Sequence, residues 1–179
     1  MGKYKEITGV PCSGKSYYVK AHDLKVAEVD FFKSILVSLI NIPFNKLYCL
    51  SLMCFKEKVS WFYKIKLFFL ILKKIGVYHL LKDKDVIIDE GVSHIFYNLL
   101  ESSSESIMYL IEDYLPFIDV KFVNAPSDSV LIERYKCRGH KRLEFYDVNA
   151  FILLNEKAKL KQIQSLKCRT KTFEEISLC

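Results

Sequence analysis

Apolar residues recur most regularly between Trp61 and Ile75. Trp61, Ile65, Phe68, Phe69, Leu72 and Ile75 keep a helical spacing, with Lys64, Lys66, Lys73 and Lys74 among them, which predicts an amphipathic helix. Ser34–Ile42 reads as a helix that must stop near Pro43, and Asn45–Lys58 as another. These three make residues 31–82 a helical insertion. Strand-like runs lie outside it, at Lys3–Thr8, Leu24–Val29, Val86–Ile88 and Asp119–Val123. Val86–Ile88 is an unbroken β-branched run, as expected of a strand buried on both faces. Helical patterns fall between and after the strands: Ser16–His22, Val92–Leu100, a helix opened by a capping box at Ser102–Glu105 and closed after Tyr114, Ser127–Arg138 closed by Gly139, and Tyr146–Leu166. The polar tail offers only a short strand candidate at Leu166–Cys168. Alternating strands and helices predict an α/β chain, three layers α/β/α around a parallel sheet of four or five strands, in a single domain spanning 1–179.

Composition narrows the class. A chain of 179 residues that is 51% hydrophobic and 27% charged can bury a real core and is not disordered. Its net charge of +6 suits an anionic ligand and is too mild to imply nucleic acid. Six cysteines occur without a C-x-x-C pair, and the four histidines, at 22, 79, 94 and 140, make no metal-ligand spacing. Zinc and thiol-redox motifs are therefore unsupported. With no signal peptide, and no Ser or Thr at position six for lipidation at Gly2, the reading is a cytoplasmic protein with reduced thiols. The longest charge-free run of the insertion, Ser34–Asn45, contains Pro43 and falls short of the ~20 apolar residues of a membrane span. Buried helices are the favoured reading of 31–82, and contact with a membrane surface the less favoured one.

The candidate chemistry starts at Gly9-Val10-Pro11-Cys12-Ser13-Gly14-Lys15-Ser16, which fits G-x-x-x-x-G-K-[ST]. Between a strand and a helix, such a loop aims backbone N–H groups at phosphate, with Tyr17 beside it. Lys15 would reach the terminal phosphates and Ser16 would hold Mg²⁺. Asp89 ends the Val86–Ile88 run as a Walker-B-like acid, the second expected Mg²⁺ ligand. Glu90 reads three ways: as an acid that activates water, as an acceptor-binding group, or as a surface acid in the turn at Gly91. Asp30 follows the Leu24–Val29 run and reads equally as a base facing the site and as the N-cap of the next helix. Arg134 and Arg138 stand at i and i+4, and Lys136, His140, Lys141 and Arg142 extend them. They read as a lid over 134–143 that neutralises transferring phosphate, against the plainer reading of a solvated basic face.

The loop, Pro11 included, resembles that of the small P-loop kinases, the group of nucleoside and nucleotide kinases. Phe122–Gly139 resembles the strand, helix and Arg-rich lid of thymidylate-kinase-like proteins, and Ile88-Asp89-Glu90-Gly91 sits where that group carries an Asp-bearing strand end. The resemblance implies a P-loop kinase fold, with ATP and Mg²⁺ as cofactors and a nucleotide donor and small-molecule acceptor as partners. No nucleic-acid partner is expected, and the oligomeric state stays open. Two departures matter. Cys12 stands where the group carries Gly, and a non-Gly residue held at positive φ costs about 1–2 kcal/mol. Its thiol would also sit near a helix N-terminus, where thiolates are favoured. No arginine precedes Arg134, whereas a nucleoside monophosphate kinase needs cations for the acceptor phosphate. The expected activity is thus phosphoryl transfer from ATP to a hydroxyl of a nucleoside- or sugar-like molecule. The catalytic set is Lys15, Asp30, Glu90, Arg134 and Arg138. A monophosphate kinase with lysines on the acceptor phosphate, a P-loop ATPase or switch protein, and an inactive relative are the alternatives.

Overall fold

Burial at the centre of the sheet is set by β1 (Tyr4–Gly9). The computed structural model describes residues 3–177; Met1, Gly2, Leu178 and Cys179, including the Gly2 considered for lipidation and one of the six cysteines, lie outside the described residues. β1 pairs in parallel with β2 (Val86–Asp89) and β3 (Asp119–Val123), and β3 pairs in parallel with β4 (Thr172–Ile176). The order is β2-β1-β3-β4. Around the sheet run α1 (Lys15–Ala21), α2 (Phe31–Asn41), α3 (Phe44–Lys56), α4 (Trp61–Leu81), α5 (Ile95–Asn98), α6 (Ser104–Ile111), α7 (Asp128–Arg138) and α8 (Val148–Lys167).

Side chains alternate across a strand, and here the alternation sorts the layers. One face, carrying Tyr4, Ile88 and Val120, packs on the apolar sides of α4, α5, α6 and α8. The other face, carrying Ile7 and Val123, is covered by Tyr18 of α1. Within α4, Leu67, Ile71, Leu72 and Ile75 are buried, each contributing roughly 2 kcal/mol of apolar burial. The chain is therefore α/β, three layers around a parallel four-stranded sheet, as its pattern predicts.

Several boundaries differ from the sequence expectations. The Leu24–Val29 run is not a full strand. It touches the sheet through one parallel bridge, Val26 to Ile87, with Ala27 N–H donating to Ile87 O. The interleaved Lys25 and exposed Glu28 leave too little apolar surface to extend it. The Leu166–Cys168 candidate is helix to Lys167, and the last strand forms at 172–176 instead. As an edge strand with mostly exposed side chains it needs no apolar pattern. Ser103, not Ser102, caps α6 by accepting from Ser106 N–H. Val92–Leu100 is a 3₁₀ turn at Val92–His94 followed by the single turn of α5.

Connectivity fixes where a ligand can sit. From β1 the chain runs outward to Val26, returns to β2 beside β1, then crosses to β3 on the far side. The order reverses at β1, and in open parallel sheets the crevice at the carboxyl end of such a strand is the binding position. Gly9 occupies that end.

Candidate active site

Two glycines open the loop after β1. Gly9 has φ 147°, and a Cβ there would meet Val123 O at 2.4 Å. Gly14, at φ 108°, starts α1. Between them Cys12 takes the same left-handed region, φ 63°, so the strain anticipated for a non-Gly residue is present. Ser13 N–H donates to Val10 O at 3.0 Å, and Ser13 Oγ is buried without a partner. Tyr135 hydroxyl donates to Pro11 O, and Arg134 Nη1 to Cys12 O, both at 3.0 Å. Arg134 thus braces the loop backbone from α7. Arg138, one turn on, is exposed. Burial pushes the Cys12 thiol pKa up, against the pull of Arg138, Lys15 and Arg134, so the expectation of a favoured thiolate there is overturned.

Lys15 is buried. Its ammonium donates to Gly9 O at 3.2 Å and Val10 O at 3.1 Å and pairs with Glu90 Oε1 at 3.1 Å. Glu90 reaches it from the end of β2 in a left-handed conformation, φ 57°, with its N–H on Ile7 O at 3.0 Å. Burial opposes ionisation of Glu90, but His94, Lys15 and Lys74 outweigh it and hold the carboxyl far below the usual range. Such a carboxylate is a poor base. Asp89 behaves oppositely: burial and the Glu90 charge raise its pKa, against Lys15 and Lys74.

Behind Glu90 stands a buried polar chain. Gln162 Nε2 donates to Thr8 Oγ1 at 3.0 Å, Thr8 Oγ1 lies 3.3 Å from His94 Nδ1, and His94 Nε2 lies 3.5 Å from Glu90 Oε1. Burial drives the His94 pKa well down, with Glu90 acting the other way. Glu6 accepts from Val92 N–H at 2.9 Å and Ser93 N–H at 2.8 Å. Its carboxyl fills the space over Gly91, where a Cβ would meet Glu6 Oε1 at 2.2 Å. Lys74, buried on α4, donates to Glu90 O, and burial lowers its pKa to about 8.

Three cavities adjoin these groups. A cavity of about 450 Å³ lies at the ends of β2 and the Val26 bridge, with Glu28, Asp89, Glu90, Lys73 and Lys74 as its charged walls. A second, about 440 Å³, opens on the other side of the loop between Tyr17, Asn124, Pro126 and Arg134. A third, about 120 Å³, joins Pro11 and Glu90 to His140 and Arg142.

Asp30 is not in any of these walls. It caps α2, with Oδ1 accepting from Lys33 N–H at 2.7 Å, while Glu28, two residues earlier, faces the 450 Å³ cavity. Ser16 and Tyr17 are exposed, and Tyr17 walls the second cavity. Arg142 does not belong to a solvated basic face: it is buried against Glu57 at 3.3 Å. Among the described residues no cluster of three or more His, Cys, Asp or Glu could by itself hold a metal ion.

Sequence reasoning missed Glu6, Glu28, Lys74, His94 and Gln162. Only Lys74 left a usable signal, since it lies three residues after Ile71 and four before Tyr78, on the buried stripe of α4. The others are single residues brought together from distant segments.

No family model matches the chain, and no curated protein matches it. Among solved structures, the YorR protein from Bacillus subtilis, in complex with phosphorylated GDP, aligns with 98% of this chain and 85% of its own at 14% identity and a TM-score of 0.44, a likeness too loose to carry chemistry across.

Proposed function

We propose that this protein binds ATP at Gly9–Tyr17 and transfers its terminal phosphoryl group to a hydroxyl of a small nucleoside- or sugar-like molecule. The observation that carries the reading is a lysine-bearing phosphate loop that shares Glu90 with an arginine-free, carboxylate-walled cavity. The loop's fit to a polyphosphate is supported by the orphaned Ser13 Oγ. Ser16 and Asp89 would hold Mg²⁺, which needs few protein ligands because phosphate and water complete its shell; it would supply charge neutralisation.

In this reading Lys15 leaves Glu90 for the donor phosphates, and Arg134 and Arg138 approach from α7. An acceptor in the 450 Å³ cavity loses its hydroxyl proton to a carboxylate as its oxygen bonds to phosphorus and the bond to the ADP oxygen breaks. With Asp89 given to Mg²⁺, Glu28, on the wall of that cavity, suits that base role better than Glu90 or the capping Asp30.

Lys73 and Lys74 support a second reading, in which the acceptor carries a phosphate. Lys74 is already committed to Glu90 O and to the charges of Glu90 and Glu6, which favours the hydroxyl. An ADP-release screen over nucleosides, monophosphates and sugars separates the readings, with Lys15→Ala as control. The expected result is release that depends on an unphosphorylated acceptor. Monophosphate-only stimulation selects the second reading, and acceptor-independent hydrolysis, or no stimulation of a folded ATP-binding protein, overturns both.

A further inference from the structure

Helix α2 of the 31–82 segment inverts the usual pattern of a surface helix. On α2 the residues buried against α4 are Ser34 and Ser38. The seam is so close that a Cβ on Gly76 would meet Ser34 O at 1.8 Å. Small residues thus make the helix–helix contact, and the apolar stripe of α2 faces out: Phe32, Leu36, Leu39 and Ile40 are 78%, 60%, 45% and 73% exposed. Their spacing of four, seven and eight residues places them on one side of the helix. α3 buries Leu50 and Met53 yet exposes Phe44, Tyr48, Leu52 and Phe55, and α4, which buries Leu67, Ile71, Leu72 and Ile75, exposes Trp61 and Phe62 at its start. The α3 and α4 residues meet at Phe55 and Trp61, whose ring centroids lie 5.1 Å apart, and large apolar side chains exposed this densely mark an interaction surface.

Charge identifies the partner. Residues 31–82 hold nine lysines, no arginine and one acid, Glu57, a net of +8 against +6 for the whole chain, so the remainder is net −2. Glu57 is itself buried against Arg142, which leaves no exposed acid in the segment. Lys33, Lys56, Lys58 and Lys66 are exposed around the apolar stripes. A second copy of the chain would set these lysines against themselves, because an isologous interface repeats one patch. Anionic lipid headgroups answer the lysines, and the acyl boundary accepts Phe, Leu and Trp side chains.

We propose that α2, the α3 stripe and the start of α4 dock on an anionic membrane surface and lie in its interface. Among the described residues no helix is long and apolar enough to cross a membrane, so insertion is shallow. The same helix that docks through Trp61 and Phe62 lines the 450 Å³ cavity through Lys73, Lys74 and Val77, which places that cavity's wall on the docked element. The proposal stands independently of the activity proposed above.

Trp61 is the single tryptophan of the chain and reports docking directly. The full chain is mixed with phosphatidylcholine vesicles and with phosphatidylcholine–phosphatidylserine vesicles, and both sedimentation and Trp61 emission are followed. The expected result is co-sedimentation and a blue shift with the anionic vesicles only, weakened by added salt. Lys58→Gln and Lys66→Gln should each lower binding roughly fivefold, and Phe62→Glu should abolish the blue shift. These side chains are exposed, and circular dichroism checks that the variants fold. No binding to anionic vesicles, equal binding to both kinds, or burial of Trp61 by lipid-free dimerisation would each overturn the proposal.

Discussion

The ammonium of Lys15 and the carboxylate of Glu90 lie 3.1 Å apart, so the loop lysine is held by an acid from the neighbouring strand end. Glu90 adopts a left-handed backbone to do this, a conformation that costs a non-Gly residue free energy and persists at sites that use it. In the function proposed above, a polyphosphate has to compete with that carboxylate for Lys15.

Removing the competitor should therefore tighten nucleotide binding. Glu90→Gln is expected to lower the Kd for ATP about fivefold, equivalent to 1 kcal/mol, the upper range for a pair with one partly exposed member. Isothermal titration calorimetry reads this. Unchanged affinity with lost turnover would instead make Glu90 the base.

Cys12 sits at φ 63°, and Cys12→Gly should release its strain. The relief of about 1–2 kcal/mol is partly offset by the unfolded-state entropy that glycine adds, about 0.4–1 kcal/mol. A net gain of about 1 kcal/mol raises Tm by roughly 2–4 °C in a chain of this size, measured by calorimetry. Because burial keeps the thiol protonated, Cys12 should also be alkylated more slowly at neutral pH than the exposed Cys137 and Cys168.

The Gly9–Ser16 loop between β1 and α1 was legible because backbone demands write themselves as glycines at fixed spacing, and Gly9 and Gly14 both hold positive φ. β2 was legible because Val86–Ile88 is an unbroken β-branched apolar run, although the expected burial on both faces is met only at Ile88, with Val86 and Ile87 half-buried. β4 could not be read, since an edge strand with its side chains in water has no pattern to show. The polar support of Glu90 was invisible for another reason. Thr8, His94 and Gln162 are each ordinary in their own segments, and only the fold brings them within hydrogen-bonding reach. Asp30 was legible as a cap or a base, and the cap is what its geometry supplies.

Lys74 makes stability depend on alkaline pH. Burial lowers its pKa from 10.5 to about 8, with Glu90 and Glu6 acting the other way. Between those values the unfolded chain binds more protons than the folded one, so stability rises with pH across that window. Below about pH 8 the buried charge carries its full penalty, of order 3 kcal/mol. Lys74→Met should be stabilised relative to the parent at pH 7 by up to that amount, less the loss of the bond to Glu90 O. The difference should fade toward pH 10.5. Urea unfolding at several pH values tests this, and a difference that does not change with pH would contradict it.

Arg142 and Glu57 tie the 31–82 segment to the region after α7. Arg142 Nη1 lies 3.3 Å from Glu57 Oε2, its Nη2 donates to Asn98 O, and its guanidinium lies 5.8 Å from the centre of the Tyr63 ring. Glu57 Oε1 accepts from Glu101 N–H at 3.0 Å. Both side chains are almost fully buried, so removing one strands the other. Arg142→Met should destabilise the protein by about 3–5 kcal/mol. Glu57→Gln in the same background keeps an acceptor for Glu101 N–H and removes the stranded charge, so the double variant should recover about 2 kcal/mol. Acid should act in the same direction. Burial already raises the Glu57 pKa despite Arg142, and without Arg142 it rises further. A raised folded-state pKa means a penalty that is present when both states are ionised and that shrinks as pH falls through the folded value. The destabilisation by Arg142→Met should therefore be smaller at pH 5 than at pH 7, whereas that of the double variant should not change. Equal losses at both pH values, or a double variant no better than the single one, would show that Arg142 stabilises through its contacts with Asn98 and Tyr63 rather than through Glu57.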